Sequence, residues 1–173
     1  ESTDNSWRDG ANNHTEGVEG VWPERKAFAQ RAYDEWMPIR YPEPGNVNRI
    51  WRKFTFGSLM ELIMLDTRLF DRDEQLATPL LPPDDPTDPA RKLIGATQME
   101  FLLSSLSNAT TTWKFIGQQV MFGQLKVAGL PDLGELPAVG GQLNLIPVAG
   151  QGGVYLNSYQ WDGYQAERNQ IFS

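Results

Sequence analysis

Two apolar runs separated by an amphipathic stretch constrain this chain more than any other feature. Leu59 to Leu65 is apolar except for Glu61 and closes at Asp66, and Trp113 to Phe122 sets Phe115, Ile116, Val120 and Met121 around Gly117-Gln118-Gln119. Short apolar runs bounded by turn residues read as strands buried on both faces, the pattern of a parallel sheet covered by helices. Between them, Thr97 and Glu100 have the spacing of a capping box, and Met99, Leu102, Leu103 and Leu106 follow at helical intervals. Strand, helix and strand in that order predict an α/β architecture.

The flanks add detail. Ile50 to Phe56 alternates as a half-buried strand does, so a hairpin turning at Gly57-Ser58 is expected with the first apolar run. Pro23 and Glu24 open a helix running to about Met37, with Phe28, Ala32 and Trp36 four apart on one face, and Pro38 ends it. Residues 1–20 are polar and lack periodicity, which reads as a loop. Pro79, Pro82, Pro83, Pro86 and Pro89, with Asp84, Asp85 and Asp88, mark an irregular excursion. Residues 124–157 are glycine-rich with few charges and read as a long loop insertion, plain or with short strands of its own. Asp162 is placed to cap a last helix carrying Tyr164, Arg168 and Ile171 on one side.

Composition excludes several classes. The chain has 173 residues, enough to bury a core, and 40% are hydrophobic, including six Trp. A net charge of −7 argues against nucleic acid or an anionic membrane as partner. With no Cys, disulfides and thiolate metal sites are excluded; with one His, three-His zinc sites and His-X-X-X-His motifs are excluded. No apolar run approaches the ~18–20 residues that span a bilayer.

Few residues offer chemistry. Asp4, Asn5, Asp9, Asn12, Asn13 and His14 crowd oxygen and imidazole ligands into one stretch, suited either to a hard cation or to Asx-turns bonding their own backbone. His14, the lone histidine, is expected to bond a neighbouring loop. Asp66 stands at a strand end, a common address for ligands in open α/β sheets, yet Arg68 two residues on can simply pair with it. Arg8, Arg40, Arg52 and Arg68 are guanidinium candidates for bidentate phosphate recognition; Arg8 leads because it lies beside Asn5.

Five strings carry a family resemblance: Asp4-Asn5-Ser6-Trp7-Arg8-Asp9-Gly10-Ala11, Trp36-Met37-Pro38-Ile39-Arg40, Met64-Leu65-Asp66-Thr67-Arg68, Trp113 to Phe122, and Asn157-Ser158-Tyr159-Gln160-Trp161-Asp162-Gly163-Tyr164-Gln165-Ala166-Glu167-Arg168. In this order they resemble the alkaline phosphatase D family of metal-dependent phosphoesterases, over nearly all of the chain except about 124–156. The resemblance implies that residues 1–173 are the central part of a catalytic domain with a calcineurin-like core of two packed sheets flanked by helices. It also implies a calcium and iron cluster, a metal-activated water or hydroxide attacking phosphate mono- or diesters, and a periplasmic, extracellular or cell-surface location.

Within that pattern Asn5 matches the second of two adjacent asparagines and becomes the metal-ligand candidate, with Asp4 replacing the first. The family's Asp-Asp-His-Glu and Gly-Asp-X-His motifs fall outside the chain, so the remainder of the parent domain is the expected partner and the segment alone is expected to be inactive. Trp161, Tyr164, Gln118 and Gln119 have no acid–base or nucleophilic role to offer, and Trp-Asp-Gly-Tyr reads as a packing motif. The competing reading is a non-catalytic α/β module that keeps the packing motifs only.

Overall fold

The computed structural model describes residues 6–76, 85–127, 154–155 and 157–173. Contacts divide the chain into two compact units, one of residues 1–74 and 93–119, the other of residues 75–92 and 120–173.

The first unit is built on a three-stranded sheet. β3 (Arg52–Phe56) and β4 (Met60–Met64) form the expected antiparallel hairpin, turned by Gly57 at φ +55, a backbone that favours glycine. β4 then pairs in parallel with β5 (Trp113–Gly117). A parallel neighbour requires a crossover, and α2 (Gly95–Asn108) supplies its helix. The α/β expectation therefore holds.

Burial departs from the sequence reading. β4 is not buried on both faces: Glu61 and Ile63 are buried while Met60, Leu62 and Met64 are half-buried. The strand expected through Phe122 ends at Gly117, and the side chains of Trp113 to Ile116 are exposed. Register explains the pattern. Phe54, Leu62 and Phe115 are aligned across the sheet, as are Phe56, Met60 and Trp113, so one face is almost wholly apolar. Among the described residues little covers it, with Trp113 59% and Phe56 53% exposed.

α2 begins at Gly95, not at a capping box. Thr97 and Glu100 lie inside the helix, exposed, and no side chain caps its start. The entry is set instead by Leu93 and Ile94, both fully buried, and by Gly95 at φ +73. The buried face holds Gln98, Met99, Leu102 and Ser105, with Leu103 and Leu106 half-buried, a rotation away from the expected stripe.

α1 spans Trp22–Trp36, within a residue of expectation, but its rotation is reversed. Phe28 and Trp36 are 68% and 84% exposed, whereas Trp22, Lys26, Ala29 and Gln30 turn inward. Trp22 fixes this: its indole N–H donates to the Arg8 carbonyl at 3.1 Å and its ring lies 5.4 Å from that of His14. The polar N-terminal stretch also folds further than a loop. β1 (Ser6–Trp7) and β2 (Gly10–Ala11) make a small antiparallel ribbon, and the Trp7 indole lies over the Cα of Gly10, where a side chain would collide with it.

The second unit centres on the Trp-Asp-Gly-Tyr string. Trp161 and Tyr164 are fully buried, as the packing reading expects. Trp161 meets Phe122 edge-on at 5.3 Å, and the Arg91 guanidinium lies 4.9 Å from the Tyr164 ring. Gly163 is obligatory, because a Cβ there would overlap the Ser158 carbonyl oxygen.

Asp162 is not a helix cap. α3 (Gln165–Gln170) follows a 3₁₀ turn at Trp161–Gly163 and has no side-chain cap; the Asp162 carboxylate instead accepts the Leu125 amide at 3.0 Å. Of the 124–157 insertion, the described parts include β6 (Lys126–Val127) paired antiparallel with β7 (Val154–Tyr155).

Candidate functional site

Past Met64, the β4 ladder continues on glutamine side chains. The Leu65 amide still donates to the Gly117 carbonyl at 2.9 Å. The Gln119 amide group then donates to the Leu65 carbonyl at 2.8 Å and accepts both the Thr67 amide at 2.9 Å and the Thr67 hydroxyl at 2.7 Å. From the other side, Gln98 on α2 accepts the Asp66 amide at 2.6 Å and donates to the Asp66 carbonyl at 2.9 Å. Two carboxamides thus copy the donor–acceptor pattern of a neighbouring strand and hold residues 65–67 extended where no strand among the described residues lies beside them.

The strand end is organised by two charged groups. The Asp66 carboxylate, 5% exposed, accepts the backbone amides of Arg68, Leu69 and Phe70 at 2.9, 3.1 and 3.2 Å. This places Asp66 as the builder of its own turn, where the sequence suggested a ligand or an ion pair with Arg68. Arg72, fully buried, donates to the Thr67 carbonyl at 2.9 Å and closes the loop from below.

Against this loop lies the β1–β2 ribbon. Arg8 at its tip pairs with Asp71 at 2.8 Å, Asp9 at 3.0 Å and Asp73 at 3.4 Å, and its amide donates to the Arg72 carbonyl at 2.9 Å. The Asp71 carboxylate, then that of Asp9, raises the Arg8 guanidinium above its ordinary pKa, so it stays charged. Asp71 itself sits at φ +44, an uncommon backbone for a residue other than glycine, and its carboxylate rests against the Cα of Gly95, where no side chain would fit.

Beside this cluster, Lys26 projects from α1. Its ammonium is half-buried, and among the described residues its hydrogen-bond partner is the Arg8 carbonyl, at 3.3 Å, with no carboxylate in ion-pair range. Burial lowers its pKa from the ordinary 10.5, with the fields of Asp66 and Asp9 opposing. Arg8, Lys26, Gln30, Asn48, Asp66 and Asp71 contribute to the walls of an open cleft of about 420 Å³.

The expected site residues are therefore only partly brought together. Arg8 and Asp66 line one cleft; Asn5 and Asp4 lie outside the described residues. His14 does not bond a neighbouring loop as expected: its ring, 4% exposed, has Nδ1 3.3 Å from Arg25 of α1, while Nε2 lies 3.5 Å from a Glu16 oxygen without a hydrogen bond. Among the described residues no three His, Asp or Glu side chains converge as a metal site. Lys26, Gln98, Gln119 and Asp71 were not singled out as site residues by sequence reasoning.

The fold and this cleft define an α/β protein with an open cleft at the carboxyl end of sheet strands, beside a parallel crossover. The chain belongs to the PhoD-like phosphatase family, whose model matches residues 1–173. It is 28% identical over 152 residues to alkaline phosphatase D of Bacillus subtilis (strain 168), covering 86% of this chain and 22% of that protein. A solved structure of PhoD superposes with a TM-score of 0.70 at 27% identity, covering 98% of this chain and 29% of that one. The chain thus spans less than a third of the length of these relatives.

Proposed function

We propose that this chain forms part of a metal-dependent phosphoesterase that hydrolyses phosphate mono- or diesters, and that the cleft of Arg8 and Lys26 receives the phosphoryl group. The observation that carries the reading is the family match along the whole chain together with two cations at the end of the β4 strand. Lys26 is the better anion ligand. Its half-buried ammonium has no carboxylate partner among the described residues, whereas the three donor nitrogens of Arg8 already face carboxylates. A substrate oxygen reaching Arg8 displaces Asp9 or Asp73 and strengthens a fork the ribbon has already oriented.

Calcium and iron are the cofactors this reading carries, and when bound they supply charge neutralisation and an activated water. The described residues alone do not fit such a cluster: Asp9, Asp71 and Asp73 are engaged by Arg8, and no three ligating side chains converge. Asn5, with Asp4, stays the proposed ligand that this segment contributes, the others coming from the rest of the parent protein.

The test is hydrolysis of p-nitrophenyl mono- and diesters by the full-length protein, with metal content measured in parallel. We expect turnover by the full-length protein and none by residues 1–173 alone. Asn5→Ala should lower turnover and metal content together. Lys26→Gln should raise KM about tenfold or more, from loss of a charge-assisted contact worth roughly 1.5–3 kcal/mol. Because burial lowers the Lys26 pKa from its ordinary value, the cation is lost as pH rises, and earlier than a solvated lysine would lose it. KM should therefore rise on the alkaline side in the native protein and stay flat there in Lys26→Gln. Activity of the full-length protein with unchanged KM in Lys26→Gln would remove Lys26 from the site.

A further inference from the structure

A second cleft, of about 460 Å³, opens off the first along α1, and its character is different. Lys26, Gln30, Asp66 and Leu69 line both. Beyond that shared wall, the second cleft is bounded mostly by apolar or aromatic surfaces, Ala29, Tyr33, Val47 and Ile50 among them, with Ser6, Arg68 and Gln119 as its polar members. This volume lies within the range of small-molecule sites, which are typically apolar with a few placed polar groups. The rotation of α1 creates it: by turning Trp22, Lys26 and Ala29 inward, the helix gives one wall to the apolar space and one cation to its mouth.

We infer that the two clefts form one bipartite site for an amphiphilic anion, in which the polar cleft holds a phosphoryl group at Lys26 and the apolar cleft holds an apolar or aromatic alcohol esterified to it. The inference rests on the phosphoesterase reading and specifies its substrate class. The apolar majority of that lining favours an apolar or aromatic group over a sugar or other polyhydroxyl group, whose hydroxyls would leave water for few partners. Charge complementarity fixes the polarity of binding, since the ammonium stands at the junction of the two halves.

The experiment uses the full-length protein and a series of non-hydrolysable alkylphosphonates from methyl to octyl, with binding measured by calorimetry. Affinity should rise by about threefold to fourfold for each methylene that enters the apolar cleft. Ala29→Phe, which fills that cleft, should abolish the rise while leaving methylphosphonate affinity unchanged; Val47→Phe does the same from the opposite wall should the helical variant fail to fold. Lys26→Gln should weaken all members by a similar factor and leave the slope intact. A flat series in the native protein, or a slope that survives both filled variants, overturns the inference. Turnover of p-nitrophenyl phosphate, assayed on the same samples, separates the two claims: a slope without turnover supports the amphiphile site and removes the hydrolase reading, whereas turnover with a flat series does the reverse.

Discussion

The two units solve the same burial problem differently. In the second, one short string packs onto itself: Trp161 and Tyr164 are fully buried, Gly163 lies against the Ser158 carbonyl, and Asp162 is tied to the Leu125 amide. In the first, a longer and more regular sheet leaves Phe54, Phe56, Trp113 and Phe115 exposed while its polar strand end is held by amides and carboxylates. The apolar face of the sheet is thus left open, while a string of mixed polarity is buried. Apolarity states what a segment can bury; only contacts within the described residues state what it does bury.

Substitutions can break or sharpen this contrast. Gly163→Ala should have the largest effect, about 3 kcal/mol or more, because backbone and not a movable side chain occupies the space. Near-ultraviolet circular dichroism and tryptophan fluorescence in thermal melts should show Trp161 losing its environment. A melting point close to the native one would mean that the string tolerates rearrangement and that the contrast is overstated.

Next comes the helix of the first unit. Leu102→Ala should cost about 2–5 kcal/mol in denaturant unfolding, since Leu102 is fully buried. Leu103→Ala should cost less than half as much, since Leu103 is half-buried. Equal costs would restore the stripe drawn from periodicity alone.

Gln98→Met keeps volume but strips the Asp66 amide and carbonyl of their partners, and should cost about 1–3 kcal/mol. Hydrogen exchange at Asp66 and Thr67 should quicken in that variant; unchanged protection there would show the carboxamide ladder to be incidental. Smallest of all, Asp73→Asn should change stability by about 1 kcal/mol or less, because the Arg8–Asp73 contact is long and partly exposed. A larger loss would mean that the cluster around Arg8 is coupled as a network.

The order of elements was legible in the sequence. Alternation and turn residues located β3, β4 and their hairpin; Pro23 and Pro38 bracketed α1; the helical run placed α2. Rotation and depth were not. The Phe28, Ala32 and Trp36 stripe has the stronger apolar signal, yet α1 turns on the Trp22 indole and its bond to the Arg8 carbonyl, a contact fourteen residues back that periodicity does not register. The extended segment after β4 likewise depends on side chains 32 and 52 residues distant in sequence. Asp66 was found because a carboxylate closing an apolar run is locally visible, and Arg8 because it lies beside Asn5 in a family-like string. Lys26 and Asp71 were not, since their significance comes from what the fold sets beside them.

A frame made of carboxamides has one more property. Side-chain amides neither gain nor lose protons over the range in which proteins survive, so the bonds of Gln98 and Gln119 to residues 65–67 keep their strength from neutral to strongly alkaline solution. Histidine or lysine in the same positions would surrender donors as hydroxide concentration rose. The cleft can therefore change its charge through Lys26 while its walls keep their dimensions, and alkalinity would act on what the site attracts without altering its shape.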